Sequence, residues 1–367
     1  VSDPGAGRPL VDVRIEALST RTGPDPHLAD VSLHVRYGEF LTVLGPPRSG
    51  KTAVLRAVAG LEPLAAGRVL VDGVDVTGVP AQQRGMGFVF DEGALWPHLD
   101  VREHVAFGLR LAGLAVAQID ERVAIVLGRL GLTDVATRRP EALTLENRRR
   151  LALARALAVE PRVLLLDEPL AHLEPAARKT LRMELARLHA DLAVTTLCAT
   201  RDAVDALALS DRIAVMGDGR VLQVGDAESL YRRPATRAVA QALGPANLLA
   251  VRVVEVRELG VVVETEAGDR VPVGGIGQFR QGDRGLLVLR PETLLLTEAA
   301  EARGPGIPGQ VVQRVFEGAR WVYEVDVRIG APIRAEVVAL DSVVFRLGDR
   351  VRVGFGSDNA VLVPADA

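Results

Sequence analysis

Residues 45–52, GPPRSGKT, follow the apolar run Phe40–Leu44 and open a helical pattern that starts at Thr52. Strand, glycine loop and helix in that order are what a phosphate-cradling loop requires, and the residues fit G-x-x-x-x-G-K-[ST]. Gly45 and Gly50 let the chain turn tightly, so that successive backbone N–H groups point into one concavity. The helix behind the loop adds its positive N-terminal end. In this pattern the lysine reaches the β and γ phosphates and the hydroxyl of the last residue holds Mg²⁺. Gly45, Pro46, Pro47, Arg48, Ser49, Gly50, Lys51, Thr52 and Ala53 are therefore the candidate nucleotide-binding residues. The chain has only two lysines, Lys51 and Lys179, so composition does not account for a lysine at this position.

A second motif, RVLLLDEP at residues 162–169, fits the first. An apolar strand ends there in two carboxylates. Asp167 stands where a buried strand emerges and can hold the Mg²⁺ water shell, and Glu168 can orient or deprotonate an attacking water. Taken alone, the pair reads equally well as a strand ending in a charged turn. Beside the glycine loop, the magnesium and water roles are the better reading.

A chain of 367 residues predicts two domains, each able to bury its own core. A net charge of −3 and a pI near 6.2 leave no electrostatic footprint for nucleic acid. The single cysteine, Cys198, excludes an internal disulfide and suits a reducing cytosol. No run of about 18 apolar residues occurs, and residues 1–10 lack the apolar stretch of a signal peptide. A membrane role is thus expected only through a partner. Up to about residue 243, strand patterns (11–18, 31–35, 40–44, 68–71, 86–90, 163–167, 194–199, 212–216 and 221–224) alternate with helical ones (52–60, 101–112, 117–131, 147–159, 175–192 and 202–207). That alternation predicts an α/β fold with a largely parallel sheet. From residue 244 onward the chain reads as short strands and turns, a small all-β, barrel-like domain.

The segments VSLHVRYGEFLTVLGPPRSGKT, ALWPHLDVREHVAFGL, RRLALARALAVEPRVLLLDEPLAHLEP and DRIAVMGDGRVLQVGDAESLYRRPA resemble the ATP-binding subunits of ABC transporters. ANLL, LRPETLLLT and FEGARWVYEVDV resemble the C-terminal OB-like module of the importer branch, which serves maltose, glycerol phosphate, polyamines, iron(III) or sulfate. The resemblance covers almost the whole chain. It implies a P-loop NTPase domain of the ABC type over residues 9–243, with a helical subdomain at about 91–160, and an OB-like regulatory domain over 244–367. It also implies ATP and Mg²⁺ as cofactors and a homodimer or heterodimer with another such subunit. The further partners it implies are integral-membrane permeases and, indirectly, an external solute-binding protein. The expected location is cytoplasmic, peripheral on the inner face of the membrane.

Set beside that family, the chain departs where ATP chemistry happens. The adenine-stacking aromatic is missing near Thr22; His27 reads either as a solvated loop histidine or, less readily, as a stacking substitute. The family glutamine before ALxPH is Asp91, which can ligate Mg²⁺ but also repels a γ-phosphate. The signature LSGGQ is LTLEN, so Thr144, Leu145, Glu146 and Asn147 would face the partner's nucleotide with two glycines lost and one negative charge gained. Arg148, Arg149 and Arg150 can offset that charge, although two of the three are expected on a solvated helix face. The switch histidine is Arg201, which binds phosphate but accepts no proton. The family aspartate after the second motif is Glu174. Glu168, Arg201 and Asp91 are the candidate catalytic residues, and Thr52, Asp167 and Asp91 the candidate metal ligands. Asp91 and Arg201, opposite charges flanking one phosphate, are expected to pair.

These features predict an energy-coupling importer subunit that binds Mg·ATP and turns it over weakly. The alternative is a nucleotide-binding regulator or scaffold derived from such a subunit. Residues 90–105, with Leu95, Trp96, Pro97 and Leu99, read equally as an exposed permease contact and as a partly buried turn of the helical subdomain.

Overall fold

The computed structural model describes residues 11–20, 28–274, 279–298, 306–340 and 343–365. The chain divides into two compact units, Val1–Ala227 and Glu228–Ala367. In the first, the strands are β1 (Val13–Thr20), β2 (Val31–Val35), β3 (Phe40–Leu44), β4 (Leu64–Val71), β5 (Val74–Asp75), β6 (Met86–Val89), β7 (Val163–Asp167), β8 (Thr195–Thr200), β9 (Arg212–Gly217) and β10 (Arg220–Gly225). The helices are α1 (Lys51–Ala59), α2 (Val101–Leu111), α3 (Val116–Arg129), α4 (Leu145–Ala158), α5 (Pro175–Leu192) and α6 (Ala203–Leu209).

The central sheet runs β10-β9-β3-β8-β7-β6 and is parallel except for its edge strand β10. The sequences FLTVL of β3 and VLLLD of β7 are buried at every position, as parallel strands covered on both faces must be. Strands β1, β2, β4 and β5 do not join them. They form a separate antiparallel sheet in the order β2-β1-β4-β5, where the sequence predicts one largely parallel sheet. The reason is legible in β2, whose residues alternate buried and exposed, the pattern of a sheet with one face in water.

The parallel sheet places the candidate site. Strand β8 lies between β3 and β7, so the segments leaving the C-terminal ends of all three strands emerge side by side. Helices α2, α3 and α4 form the helical subdomain around Leu109, Val123, Leu127 and Leu151. Helix α2 starts at a capping box in which Asp100 and Glu103 satisfy each other's backbone N–H. Helix α4 begins two residues earlier than its sequence pattern predicts. The Thr144 hydroxyl accepts from the Asn147 N–H at 3.2 Å, which draws Leu145 and Glu146 into the first turn.

In the second unit the strands are β11 (Asn247–Arg257), β12 (Gly260–Thr265), β13 (Arg270–Gly274), β14 (Arg284–Leu289), β15 (Leu295–Glu298), β16 (Gly306–Phe316), β17 (Arg320–Asp326), β18 (Ile333–Val338), β19 (Arg350–Gly354) and β20 (Ala360–Pro364). They form two antiparallel sheets, β13-β12-β11-β14-β20 and β15-β19-β16-β17-β18, around one core that includes Val253, Val263, Leu287, Tyr323 and Val353. Two short helices, α7 (Ala227–Arg232) and α8 (Arg237–Ala242), precede them. Buried Arg290 holds this segment, donating to the carbonyls of Ala240, Gly244 and Pro245 while its guanidinium lies 4.1 Å from the Tyr231 ring centroid.

Helix α1, behind the glycine loop, is secured at its far end. Buried Arg84 donates to the carbonyls of Ala57 and Val58 in the last turn of α1, and to Val79 and Thr77. Arg84→Leu strips the acceptors of a charged donor from a buried helix end, so it should destabilise the first unit by about 3 kcal/mol. A urea-unfolding midpoint unchanged from the wild type would refute this.

Candidate functional site

The loop after β3 is built by backbone geometry. Gly50 has φ 97° and Arg48 φ 65°, so two left-handed residues fold the chain back on itself. A Cβ at Gly45 would lie 2.4 Å from the Met216 carbonyl oxygen and 2.7 Å from Ser49 Oγ, so only glycine fits. The Gly45 N–H donates to the Thr200 carbonyl at 3.3 Å, which ties the loop to the end of β8. Lys51 is buried and reaches back over its own loop, with Nζ donating to the carbonyls of Gly45 at 2.8 Å and Pro46 at 2.9 Å. Burial pushes its ammonium pKa down, while the charges of Glu168 and Asp167 oppose that shift.

The two carboxylates leave β7 beside this loop. Thr52 Oγ1 donates to Asp167 Oδ1 at 2.9 Å. Burial raises the Asp167 pKa; the Thr52 hydrogen bond lowers it and the charge of Asp91 adds to the rise. Glu168 sits at φ 46°, a left-handed conformation that a non-glycine residue adopts at a cost of about 1–3 kcal/mol. Its N–H donates to the Ala199 carbonyl at 2.9 Å, and its Oε2 accepts from Thr200 Oγ1 at 3.3 Å. Burial raises its pKa too, against the charge of Lys51 and a hydrogen bond from the Arg201 backbone. Arg201 itself is exposed. Lys51, Thr52, Asp167, Glu168 and Arg201 are thus brought together from the ends of three adjacent strands.

This arrangement fits a magnesium–triphosphate. The cradle excludes a Cβ, and the Lys51 ammonium rests on carbonyls that phosphate oxygens can replace. Thr52 and Asp167 present a hydroxyl and a carboxylate 2.9 Å apart. Among the described residues no three His, Cys, Asp or Glu side chains cluster as a metal site. A magnesium ion here would therefore complete its shell with phosphate oxygens and water.

Two expectations are corrected. Asp91 faces Arg149 Nη2 at 3.5 Å, and not Arg201. The cause is burial: the Arg149 side chain is only 5% exposed, and a buried guanidinium draws the nearest carboxylate. The arginine run is also less solvated than its sequence implies. Arg148 is exposed, Arg149 is buried, and half-buried Arg150 pairs with Glu146 at 2.8 Å and Glu184 at 2.7 Å. The Glu146 charge in the signature segment is therefore answered from its own helix, one turn on. Leu145 is 41% exposed. Glu174 is the N-cap of α5 but makes no side-chain cap. Thr22 and His27 lie outside the described residues.

Sequence reasoning missed the residues that shape the loop at 91–99. Fully buried His104 lies between the Asp100 carbonyl, 2.6 Å from Nδ1, and the Trp96 N–H, 2.9 Å from Nε2. Since Nε2 must accept, the ring is neutral and Nδ1–H donates. Arg155 lies over the Trp96 ring at 4.9 Å and donates to the carbonyls of Gly93 and Ala94. Pro97 is exposed, and Leu95, Trp96 and Leu99 are half-buried. The available signal was a histidine inside the apolar stretch HVAFGL, on the buried face of a helix.

The ABC transporter family profile matches residues 28–171, which include the glycine loop and both carboxylates, and the TOBE domain profile matches residues 287–363. A spermidine/putrescine import ATP-binding protein of Methylococcus capsulatus is 39% identical over 356 residues, 95% of this chain and 91% of the relative. The chain belongs to the ATP-binding subunit family of ABC importers. Another member, a protein of Salmonella paratyphi A named for 2-aminoethylphosphonate import, is 39% identical over 341 residues, 92% of this chain and 90% of its own length. Among solved structures, the ABC transporter component cbiO1 of Clostridium perfringens superimposes with a TM-score of 0.55 at 26% identity, covering 60% of this chain and 90% of that one. No helix among the described residues of this family member is long and apolar enough to cross a membrane.

Two outcomes follow. Lys51→Met should weaken Mg·ATP binding by roughly ten- to a hundredfold, the worth of a charged hydrogen bond; equal affinities in a titration would refute it. Burial holds the His104 pKa below the usual 6.5, so the unfolded chain binds the extra proton first. The stability that His104 contributes is complete above about pH 6.5 and is lost as pH falls through that value toward the lower folded pKa. Between pH 7.5 and 5, the wild type should lose more stability than His104→Asn, read as urea midpoints.

Proposed function

We propose that the chain is the energy-coupling subunit of an ABC importer, binding Mg·ATP on a face shared with a second ATP-binding subunit and hydrolysing it slowly. The observation that carries the binding half is the convergence of Lys51, Thr52, Asp167 and Glu168 on one loop whose glycine cannot be replaced. The importer half rests on relatives named for import that match 92–95% of the chain.

In this reading Lys51 leaves its two carbonyls for the β and γ phosphates, and the loop amides supply the remaining donors. Magnesium, when bound by Thr52 and Asp167, would neutralise charge on the phosphates. Glu168 would orient the attacking water. Its contact with Thr200 holds the carboxylate beside β8, where Arg201 follows. Arg201 would hold a phosphate oxygen but cannot accept the hydrogen bond that a histidine accepts there. The loss of such an orienting group commonly costs about 10²–10⁴ in rate. Thr144, Leu145, Glu146 and Asn147 would face the nucleotide of the partner subunit, with Leu145 filling space that glycine leaves open. The exposed part of the loop at 91–99 would meet a membrane permease, and the chain would sit on the cytoplasmic face of the membrane. An external solute-binding protein would act through that permease. Relatives named for polyamines and for an aminophosphonate match equally well, so the transported solute is assigned to the permease side.

Steady-state ATP turnover of the purified chain should fall about 10²-fold or more below that of the spermidine/putrescine relatives, and Arg201→His should raise it at least about tenfold. Turnover equal to the relatives would overturn the slow-hydrolysis reading. Failure to co-purify with any permease would overturn the importer reading.

A further inference from the structure

Arg149 presents a problem that the proposed catalytic groups do not solve. It lies on α4 with 4% of its surface exposed, and its Nε and Nη1 are buried with no hydrogen-bond partner. Only Nη2 is engaged, donating to the Ala171 carbonyl at 3.2 Å and approaching Asp91 Oδ1 at 3.5 Å. A buried guanidinium without a counter-charge is costly, and removing one member of a buried pair leaves the other uncompensated. Among the described residues, Asp91 is the carboxylate recorded within ion-pair distance of it. The Asp91 side chain is 45% exposed, so the pair is lopsided: the cation needs the anion more than the anion needs the cation.

The three anchoring points belong to three segments of the proposed site. Asp91 follows β6, Ala171 lies three residues after Glu168, and Arg149 stands in the second turn of the helix that begins with the signature residues Leu145 and Glu146. The charge of Asp91 also reaches Asp167, where it favours the protonated form. Asp91 follows β6 and Asp167 ends β7, paired neighbours in the parallel sheet, so a charge at Asp91 bears on any cation held by Asp167.

We propose that Arg149 is a positioning residue that fixes the Asp91 carboxylate against α4 and cancels its charge, leaving Mg²⁺ to Thr52 and Asp167 and sparing the triphosphate a second negative neighbour. The inference deepens the nucleotide-binding reading above and rests on it for its functional half. It reassigns Asp91 from metal ligand to counter-ion. It also makes the acidic replacement and the buried arginine one charge-balanced unit, in which a change at either position alone is penalised.

The test uses the whole purified chain with Asp91→Asn, Arg149→Met and the double variant, and Arg149→Lys as the conservative control. Asp91→Asn should lower the folding equilibrium constant by roughly ten- to a hundredfold, because it leaves the guanidinium buried and unpaired. Adding Arg149→Met should recover most of that loss, giving a non-additive cycle in urea unfolding. Arg149→Met alone should release the Asp91 charge toward Asp167. ATP binding without magnesium should then weaken several-fold, while the Mg²⁺ concentration for half-maximal ATP binding falls several-fold. Arg149→Lys should restore both values part-way. A merely structural arginine would change stability and leave these two values alone. An additive unfolding cycle, or a magnesium dependence unmoved by Arg149→Met, overturns the proposal. If the wild type binds no ATP, the functional reading above fails by itself, and the unfolding cycle still decides whether Asp91 and Arg149 form one unit.

Discussion

A buried ammonium held only by backbone carbonyls is the constraint around which the first unit is organised. Lys51 loses hydration and gains two carbonyl oxygens; burial disfavours its charge, and the charges of Glu168 and Asp167 favour it. Those carboxylates are themselves pushed toward protonation by burial. Each charge is tolerable because of the other, and the set is held ready for a ligand that brings four negative charges with its own cation. The parallel sheet makes this possible, since strands β3, β8 and β7 deliver the loop, Thr200 and the two carboxylates to one edge in adjacent register.

A second layer of charge balance surrounds that centre. Glu146, which would repel a partner's phosphate, is answered by Arg150, and Arg150 is shared with Glu184 on α5. Asp91 is answered by Arg149. The replacements that look damaging one at a time thus come with counter-ions on α4, two of them within one helical turn. Steric change is not compensated in the same way: Leu145 stays exposed where the family has glycine, and Arg201 keeps a charge but not an acceptor. This separation explains why nucleotide binding and hydrolysis are expected to part company in this chain. In the proposed reading affinity depends on charge, and the two added carboxylates have arginine partners. Rate depends on the placement of an acceptor and on close backbone approach, which are not.

Much of the site was readable before any coordinates. Gly45, Gly50, Lys51 and Thr52 declare themselves because a tight turn and a phosphate grip demand those residue types in that order, and Asp167–Glu168 because a fully apolar strand seldom ends in two acids without cause. The strands 31–35, 40–44 and 163–167 were legible to the residue, since unbroken or alternating apolar runs leave little freedom. The separate antiparallel sheet was not foreseen, although β2 carries the alternation that announces it. The pairing of Asp91 was misread because charge complementarity along a sequence gives no distance, and Arg149 was read only as an offset to Glu146.

The amino-acid sequence by itself determined where the glycine loop falls and that glycines, a lysine and a hydroxyl line it, because their placement is local and follows from backbone geometry within eight residues. Only the tertiary structure decided which charges answer which. Asp91 and Arg149 are 58 positions apart in the chain, and what joins them is burial of one guanidinium between a helix and two loops. Desolvation depends on everything packed around a group, so no local pattern of residues encodes it.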